Sequence, residues 1–130
     1  MKLVVDTSVV LAVLFNEPER DVILSVTKGC ELLAPLSLPV EVGNAISLAF
    51  KKRRIDLGQG EAVIDGLSKM KIRFEGIDYI NAITIAHKYS IYAYDAYMMD
   101  LAQRERCHLF SLDAKLKLMA KEAEIRILEV

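Results

Sequence analysis

The chain has 130 residues, 53% hydrophobic and 27% charged, so it can bury the core of one domain without disulfide staples. A formal net charge of −1 excludes nucleic-acid binding through a global positive field and leaves only a local basic patch for that purpose. No apolar run approaches the ~20 residues of a membrane span, and Asp6 interrupts the N-terminal apolar stretch, so we expect a cytoplasmic protein without a membrane segment.

Short apolar strands alternate with helices along the whole chain. In chain order, the predicted elements are strand Leu3–Val5, helix Thr7–Phe15, helix Glu19–Lys28, strand Glu31–Pro35, helix 38–53, helix Gly58–Lys71, strand Arg73–Glu75, helix Ile77–Lys88, helix Ala96–Arg106, strand His108–Ser111, helix Ala114–Glu122 and strand Arg126–Leu128. This alternation predicts one α/β domain over residues 1–130, with a mostly parallel central sheet and helices on both faces.

Four acidic residues interrupt or end otherwise apolar segments, where an unpaired charge is costly. They are Asp6, Glu41, Asp95 and Asp113. Ligands of parallel sheets collect beyond the carboxyl ends of the strands, where Asp6 and Asp113 fall on this reading. Between Asp95 and Asp113 the chain climbs ~16 Å as a helix and returns ~13–16 Å as a strand, so both acids lie at one level.

Glu41 differs from the other three because it lies within the early turns of a helix. The residues on its face of that helix are Leu38, Asn44, Ala45 and Leu48. A solvated glutamate would sit among lysine and arginine instead. The pattern therefore predicts that Glu41 points inward.

A purely structural role is open for each acid taken singly. Asp6, Asp95 and Asp113 each stand where a helix begins, and an N-cap stabilises a helix by about 1 kcal/mol. Glu41 has no capping position, and its structural alternative is a buried acid satisfied by one basic partner.

Electrostatic repulsion favours a metal over four independent structural roles. Two unit charges 5–6 Å apart repel by about 3 kcal/mol at an effective dielectric of 20, and four carboxylates make six such pairs. The sum approaches the whole stability of a domain, so protonation or cations must relieve it. All-oxygen ligands suit Mg²⁺ or Mn²⁺, which keep water molecules that can attack a phosphate ester.

Four short motifs together resemble the PIN domain, a nuclease family, and within it the compact VapC-type toxins of toxin–antitoxin pairs. These motifs are Asp6-Thr7-Ser8, Glu41 with Asn44, Tyr94-Asp95-Ala96 with Tyr97, and Ser111-Leu112-Asp113 with Leu116. The resemblance covers the chain from end to end. It implies a PIN-like fold and a Mg²⁺- or Mn²⁺-dependent endoribonuclease activity, together with a homodimer and a cognate antitoxin that binds near the acidic site.

The resemblance also implies roles for particular residues. Asp6 and Asp95 would hold the primary metal ion, with Glu41 binding it directly or through water, and Asp113 would position the attacking water or a second cation. Around these metal ligands and catalytic residues, hydrogen bonds from Thr7, Asn44 and Ser111 would orient the carboxylates.

Several other side chains are candidates for RNA contact. Lys51 and Arg53 end the Glu41 helix, and Lys115 and Lys117 follow Asp113, although each could also be solvated. Four tyrosines cluster around Asp95 and could stack on bases or pack in the core or a dimer interface. They are Tyr89, Tyr92, Tyr94 and Tyr97.

Two other functional classes fit parts of the pattern. A receiver-like, Mg²⁺-binding phosphoacceptor switch has a similar length and fold class, but it needs paired acids after the first strand, where Asp6 stands alone. A PIN-like scaffold that binds a partner without catalysis is the other alternative. Degenerate scaffolds usually lose acids, and this chain has all four.

Overall fold

Four parallel strands form one sheet in the computed structural model, which describes residues 1–130. The strands are β1 (Lys2–Val5), β2 (Glu31–Pro35), β3 (Ile72–Glu75) and β4 (His108–Phe110), and their order across the sheet is β3-β2-β1-β4. β1 is therefore central, with Leu3 opposite Leu32 on one side and His108 on the other. Because Val5 is paired with Phe110, the chain leaves β1 and β4 side by side.

Seven helices flank the sheet, and the predicted α/β fold with a parallel sheet is confirmed. They are α1 (Thr7–Leu14), α2 (Arg20–Thr27), α3 (Ser37–Lys51), α4 (Leu57–Lys69), α5 (Tyr79–Tyr89), α6 (Ala93–Glu105) and α7 (Ala114–Glu122). Two boundaries matter for function. Helix α6 begins three residues earlier than the predicted Ala96, and β4 ends before Ser111.

The predicted last strand, Arg126–Leu128, is wrong. The chain after α7 forms only an isolated bridge between Leu109 and Ile127. Two backbone hydrogen bonds, Leu109 N–H to the Arg126 carbonyl and Leu128 N–H to the Leu109 carbonyl, fix it there. This segment touches the free edge of β4 without extending the ladder.

The core lies on both sides of the short strands. Leu3, Val4 and Val5 of β1 are almost completely buried, as expected for a parallel strand covered on both faces. Helix α6 packs across β1, β2 and β4 and contributes Met98 and Met99 to the same cluster. The strands themselves are short and mostly apolar. Polar residues follow directly after their carboxyl ends, with Asp6 after β1 and Ser111 after β4. No helix has the length and apolar character that crossing a membrane requires.

Candidate functional site

Asp6 lies at the carboxyl end of the central strand and is held from both sides. It is 7% exposed, and its backbone N–H donates to the Phe110 carbonyl over 2.9 Å. The hydroxyls of Ser8 and Ser111 both donate to its Oδ2, over 2.7 and 2.8 Å. The two donors come from positions 103 residues apart in the chain. The Asp6 carboxylate therefore ties the start of α1 to the end of β4.

Backbone groups fix the two serines in turn. The Leu112 N–H donates to Ser8 Oγ over 3.0 Å, and the Asp113 N–H donates to Ser111 Oγ over 2.9 Å. Each hydroxyl thus accepts one hydrogen bond from a backbone N–H and donates one to Asp6. Both bonds end on Oδ2, which leaves Asp6 Oδ1 without a protein donor and yet not sealed from solvent. The structure leaves that oxygen available for an external ligand.

Glu41 lies in the second turn of α3 and is half-buried, and the Thr7 hydroxyl donates to its Oε2. Burial raises the pKa of Glu41 to about 7, against a smaller lowering by the Thr7 hydrogen bond. The charges of Asp6 and Asp95 raise this pKa further. No basic side chain neutralises Glu41, so the alternative of a buried acid satisfied by one basic partner does not hold.

Asp95 lies in the first turn of α6, where Tyr92 occupies the N-cap position. The N-cap alternative for Asp95 is therefore wrong. Its half-buried carboxylate accepts no protein hydrogen bond. Burial, followed by the charges of Asp6 and Asp113, raises the pKa of Asp95 to about 6, while the charge of Lys115 lowers it. Asp95 is thus an acid with two acidic neighbours and no fixed donor.

Asp113 is the N-cap of α7, as the structural alternative allows. Its Oδ1 accepts the N–H groups of Lys115 and Leu116 over 2.9 and 3.3 Å. The residue is exposed, and its charge still reaches Asp95. Capping and a role in the site are therefore compatible for Asp113.

The four acids are neighbours, but they do not converge on one point. No three carboxylate, imidazole or thiol side chains are close enough together to share a metal ion as they stand. The expectation of a ready-made cluster is therefore wrong for these side-chain positions. Local donors explain the difference, because hydroxyls hold Asp6 and Glu41 and a helix N-terminus holds Asp113.

The donor set nevertheless fits a hard divalent cation. Asp6 Oδ1 and both oxygens of Asp95 lack protein donors, and Glu41 and Asp95 each have a pKa raised first by burial and then by neighbouring negative charge. Only oxygen ligands are present, which suits Mg²⁺ or Mn²⁺. A cation between these groups would relieve the repulsion that now favours their protonated forms.

Among the predicted supporting residues, the structure separates Thr7 and Ser111 from Asn44. Thr7 and Ser111 donate to Glu41 and Asp6 as described. Asn44 is exposed and makes no hydrogen bond to any of the four acids, so its predicted orienting contact is absent. Ser8 was missed, although a hydroxyl two residues after the strand-ending Asp6 is the available signal for this role.

The predicted basic residues fall into two places. Lys51 and Arg53 are exposed at the far end of α3, ten residues or about 15 Å along the helix from Glu41. Lys115 is exposed beside the acids, and its charge acts on Asp95, whereas Lys117 is half-buried. Only Lys115 is therefore adjacent to the candidate site.

Comparisons with known proteins give a matching family model and several solved structures of similar fold. The family model described as PIN domain matches residues 3–122. In fold, the chain is similar to PAE2754 from Pyrobaculum aerophilum, with 19% identity, a TM-score of 0.72 and coverage of 92% of this chain and 87% of that one.

Two further solved structures are similar in fold to the chain. VapBC2 from Rickettsia felis, bound to a DNA fragment from its promoter, has 16% identity and a TM-score of 0.68. The match covers 99% of this chain and 98% of that one. Mycobacterium tuberculosis VapC20, a Sarcin-Ricin loop cleaving toxin, has 13% identity, a TM-score of 0.64 and coverage of 89% and 93%. No curated protein matches the sequence.

Proposed function

Because the chain belongs to the PIN domain family of nucleases, we propose that it is a divalent-metal-dependent endoribonuclease and the toxin of a toxin–antitoxin pair. The observation that carries the proposal is the Asp6 carboxylate. Two hydroxyls hold one of its oxygens, the other has no protein donor, and the charge of Asp6 contributes to the raised pKa of two neighbouring acids. The similarity to VapC20, described as cleaving the Sarcin-Ricin loop, supports RNA as the substrate.

Each acid has a distinct part in the proposed reaction. Asp6 and Asp95 would hold a Mg²⁺ or Mn²⁺ ion, and Glu41 would bind it directly or through water. A bound divalent cation supplies positive charge and lowers the pKa of water, which makes a nucleophile available near neutral pH. Asp113, fixed by the N–H groups of α7, would position the attacking water or a second cation.

The supporting hydroxyls keep the carboxylates in place. Ser8 and Ser111 hold Asp6 against the end of the sheet, and Thr7 holds Glu41. Because backbone N–H groups fix both serines, the position of Asp6 follows directly from the pairing of β1 with β4. In metal sites, removing a donor of this kind commonly lowers metal affinity or activity by about 10- to 100-fold.

We also propose a cognate antitoxin, a homodimer and a cytoplasmic location. The similarity to VapBC2, whose structure is described as bound to its promoter DNA, supports the antitoxin. Exposed apolar side chains give a second copy a surface to bury. They lie on α5 and at the start of α3, and include Leu36, Val40, Tyr79, Ile80 and Ile83.

The family match removes the receiver-like switch as an alternative, and a scaffold without catalysis remains to be separated from a nuclease. The test is cleavage of single-stranded and structured RNA in Mg²⁺, in Mn²⁺ and in EDTA. Asp6→Asn is purified in parallel, because it removes the carboxylate at the centre of the site. Asp56→Asn is the matched control, since Asp56 caps α4 away from the acids.

We expect cleavage by the parent and by Asp56→Asn in both metals, and none in EDTA or by Asp6→Asn. Activity that survives exhaustive chelation, or that Asp6→Asn retains in full, would refute a metal-dependent mechanism at this site. Absence of cleavage in every metal with every RNA would favour the non-catalytic scaffold.

A further inference from the structure

An aromatic side chain and a basic one meet beside the acids: Tyr92 from the start of α6 and Lys115 from the start of α7. Lys115 Nζ lies 5.9 Å from the centroid of the Tyr92 ring. That distance is within the range of a cation–π contact. Tyr92 precedes Asp95 by three residues, and Lys115 follows Asp113 by two. The pair therefore bridges the two acidic motifs.

Tyr92 differs from the other tyrosines of this region in what its ring touches. Tyr89 and Tyr97 pack against the hydrophobic core, and Tyr94 lies edge-on to Tyr97 with ring centroids 5.8 Å apart. The Tyr92 residue is 79% exposed, and its ring has no aromatic partner. It presents an open aromatic surface to solvent at the edge of the site.

Lys115 occupies a position that helix electrostatics disfavour. It lies in the first turn of α7, where the partial positive charge of the helix N-terminus favours acids over bases. It has no acidic partner at ion-pair distance, in contrast to Lys121, which pairs with Glu129. It is also the one cation whose charge acts on Asp95. No ion pair or helix-dipole interaction holds Lys115, so its ammonium group is free to bind an incoming anion.

A polyanionic substrate faces an electrostatic barrier at this site. Four neighbouring carboxylates lie where the proposed reaction places a phosphodiester, and the net charge of −1 supplies no attractive field. A cation next to the acids is therefore needed to bring a phosphate close, and Lys115 is that cation. A nucleotide offers both a phosphate for the ammonium group and a flat base for an aromatic ring.

We infer that Tyr92 and Lys115 form the subsite for the nucleotide next to the bond that is cut, with the ring stacking on its base and the ammonium group binding its phosphate. This inference rests on the proposed function, because it takes single-stranded RNA as the substrate. Stacking accepts every base, so the subsite positions the strand and does not by itself select a sequence.

The test is binding of a fluorescein-labelled single-stranded oligouridine RNA in EDTA, measured by anisotropy over a range of salt concentrations. Tyr92→Ala should weaken binding by about 5- to 150-fold with an unchanged salt slope, because it removes stacking and no charge. Lys115→Ala should reduce the log–log salt slope by about 0.7, the value for one phosphate contact on a single strand. Tyr92→Phe and Lys115→Arg should bind like the parent.

The chain supplies a matched control in its other cation–π pair. Lys88 Nζ lies 5.4 Å from the centroid of the Tyr89 ring, which packs against the core. The charge of Lys88 does not act on Asp95. Lys88→Ala should therefore leave both the affinity and the salt slope unchanged.

Tyrosine emission gives a second readout that a purely structural role would not move. The chain has five tyrosines and no tryptophan, so stacking of a base on Tyr92 should quench the intrinsic fluorescence. In Tyr92→Phe this quenching should shrink while the affinity is retained. Thermal melts of every variant establish that the fold is intact.

The outcomes separate this inference from the proposed nuclease activity. If the parent binds RNA and both alanine variants bind equally well, the subsite is refuted, whether or not RNA is cleaved. If Tyr92→Ala keeps its RNA affinity but loses self-association, the ring belongs to a protein interface and the subsite is refuted. If both variants lose binding but the parent never cleaves in Mg²⁺ or Mn²⁺, the nucleotide-binding role of Tyr92 and Lys115 stands, while the nuclease proposal and the placement beside a cut bond fall. A parent that binds no RNA at any salt concentration overturns both.

Discussion

Asp95 has an unusual environment for a half-buried carboxylate, because nothing in the protein donates a hydrogen bond to it. Burial and then two acidic neighbours raise its pKa, and one lysine partly offsets them. In the metal-free protein its negative charge is thus a source of repulsion without a compensating bond. Removing that charge should improve stability and at the same time remove a proposed metal ligand.

We predict that Asp95→Asn abolishes cleavage yet stabilises the metal-free protein at pH 8 by about 1 kcal/mol. The rise in pKa corresponds to a larger value, which we reduce for solvent screening of a half-exposed group. Chemical denaturation in EDTA measures the change. Asp113→Ala is the comparison, since it removes two capping bonds and should destabilise by about 1 kcal/mol. A less stable Asp95→Asn protein that still cleaves RNA would contradict the assignment.

The raised pKa of Glu41 predicts a pH dependence of stability in the absence of metal. The folded protein holds the proton more tightly than the unfolded chain, with a pKa of about 7 against 4.5. This contribution is therefore full below pH 4.5 and is lost as the pH rises through 7. After reduction for partial exposure it amounts to about 2 kcal/mol.

Glu41→Gln tests this dependence, because the amide keeps the shape without titrating. We expect the variant to show a flatter stability curve between pH 4.5 and 7 and to be more stable than the parent at pH 8 in EDTA. Asp56→Asn, altered at a distant cap, should retain the slope of the parent. Equal slopes for the parent and Glu41→Gln would exclude Glu41 as the source.

At the level of elements, a buried aspartate and its hydrogen-bond donors fix the helix that carries Asp95. Asp100 of α6 is completely buried and accepts hydrogen bonds from Arg104 Nε over 3.0 Å and Asn81 Nδ2 over 2.7 Å. The Asp78 N–H adds a third donor over 3.3 Å, and Arg104 also donates to the Gly76 carbonyl over 2.6 Å. The network ties α6 to α5 and to the end of β3.

We predict that Asp100→Ala destabilises the protein by about 1–3 kcal/mol, since it removes the one fully buried acceptor that Arg104, Asn81 and the Asp78 N–H share. Asp65→Ala is the matched control, because Asp65 and Lys69 form an exposed pair with the same i,i+4 spacing. Its loss should change stability by about 0.5 kcal/mol or less. Urea unfolding of both variants measures the difference, and similar losses would show that burial of Asp100 does not matter.

The sequence predicted the order of the elements well because short apolar runs and amphipathic stretches are local signals. The start of α6 was placed too late because Tyr92 caps it without a side-chain hydrogen bond and leaves no capping motif to read. The predicted strand at Arg126–Leu128 failed for a different reason. Apolar character is visible in the sequence, but the number of residues that pair with the edge of β4 depends on the assembled sheet.

The positions of the four acids were predictable, whereas the directions of their side chains were not. Strand ends and an inward helix face placed Asp6, Glu41, Asp95 and Asp113 in one neighbourhood. The hydroxyls that hold Asp6 are 103 positions apart, and no local pattern joins Ser8 to Ser111. Asn44 shares a helix face with Glu41 in sequence, yet it lies one turn further along and is exposed.

For the whole molecule, cation binding should couple to both stability and protonation. A ligand at 100 times its dissociation constant stabilises the folded state by about 2.7 kcal/mol. Glu41 and Asp95 must lose their protons to act as ligands, so we predict a larger Mg²⁺-induced rise in melting temperature at pH 8 than at pH 6. Asp6→Asn should show little rise at either pH. An equal rise for parent and variant would place the cation elsewhere.

The hydrogen bonds from Ser8 and Ser111 to Asp6 also determine when the site can form during synthesis of the chain. Translation releases the N-terminal part first, so β1 and Asp6 leave the ribosome long before Ser111. Until β4 emerges, β1 lacks one of its two neighbours and Asp6 has only the Ser8 hydroxyl. A nascent chain therefore holds an incomplete site until β4 has emerged and Ser111 has reached Asp6.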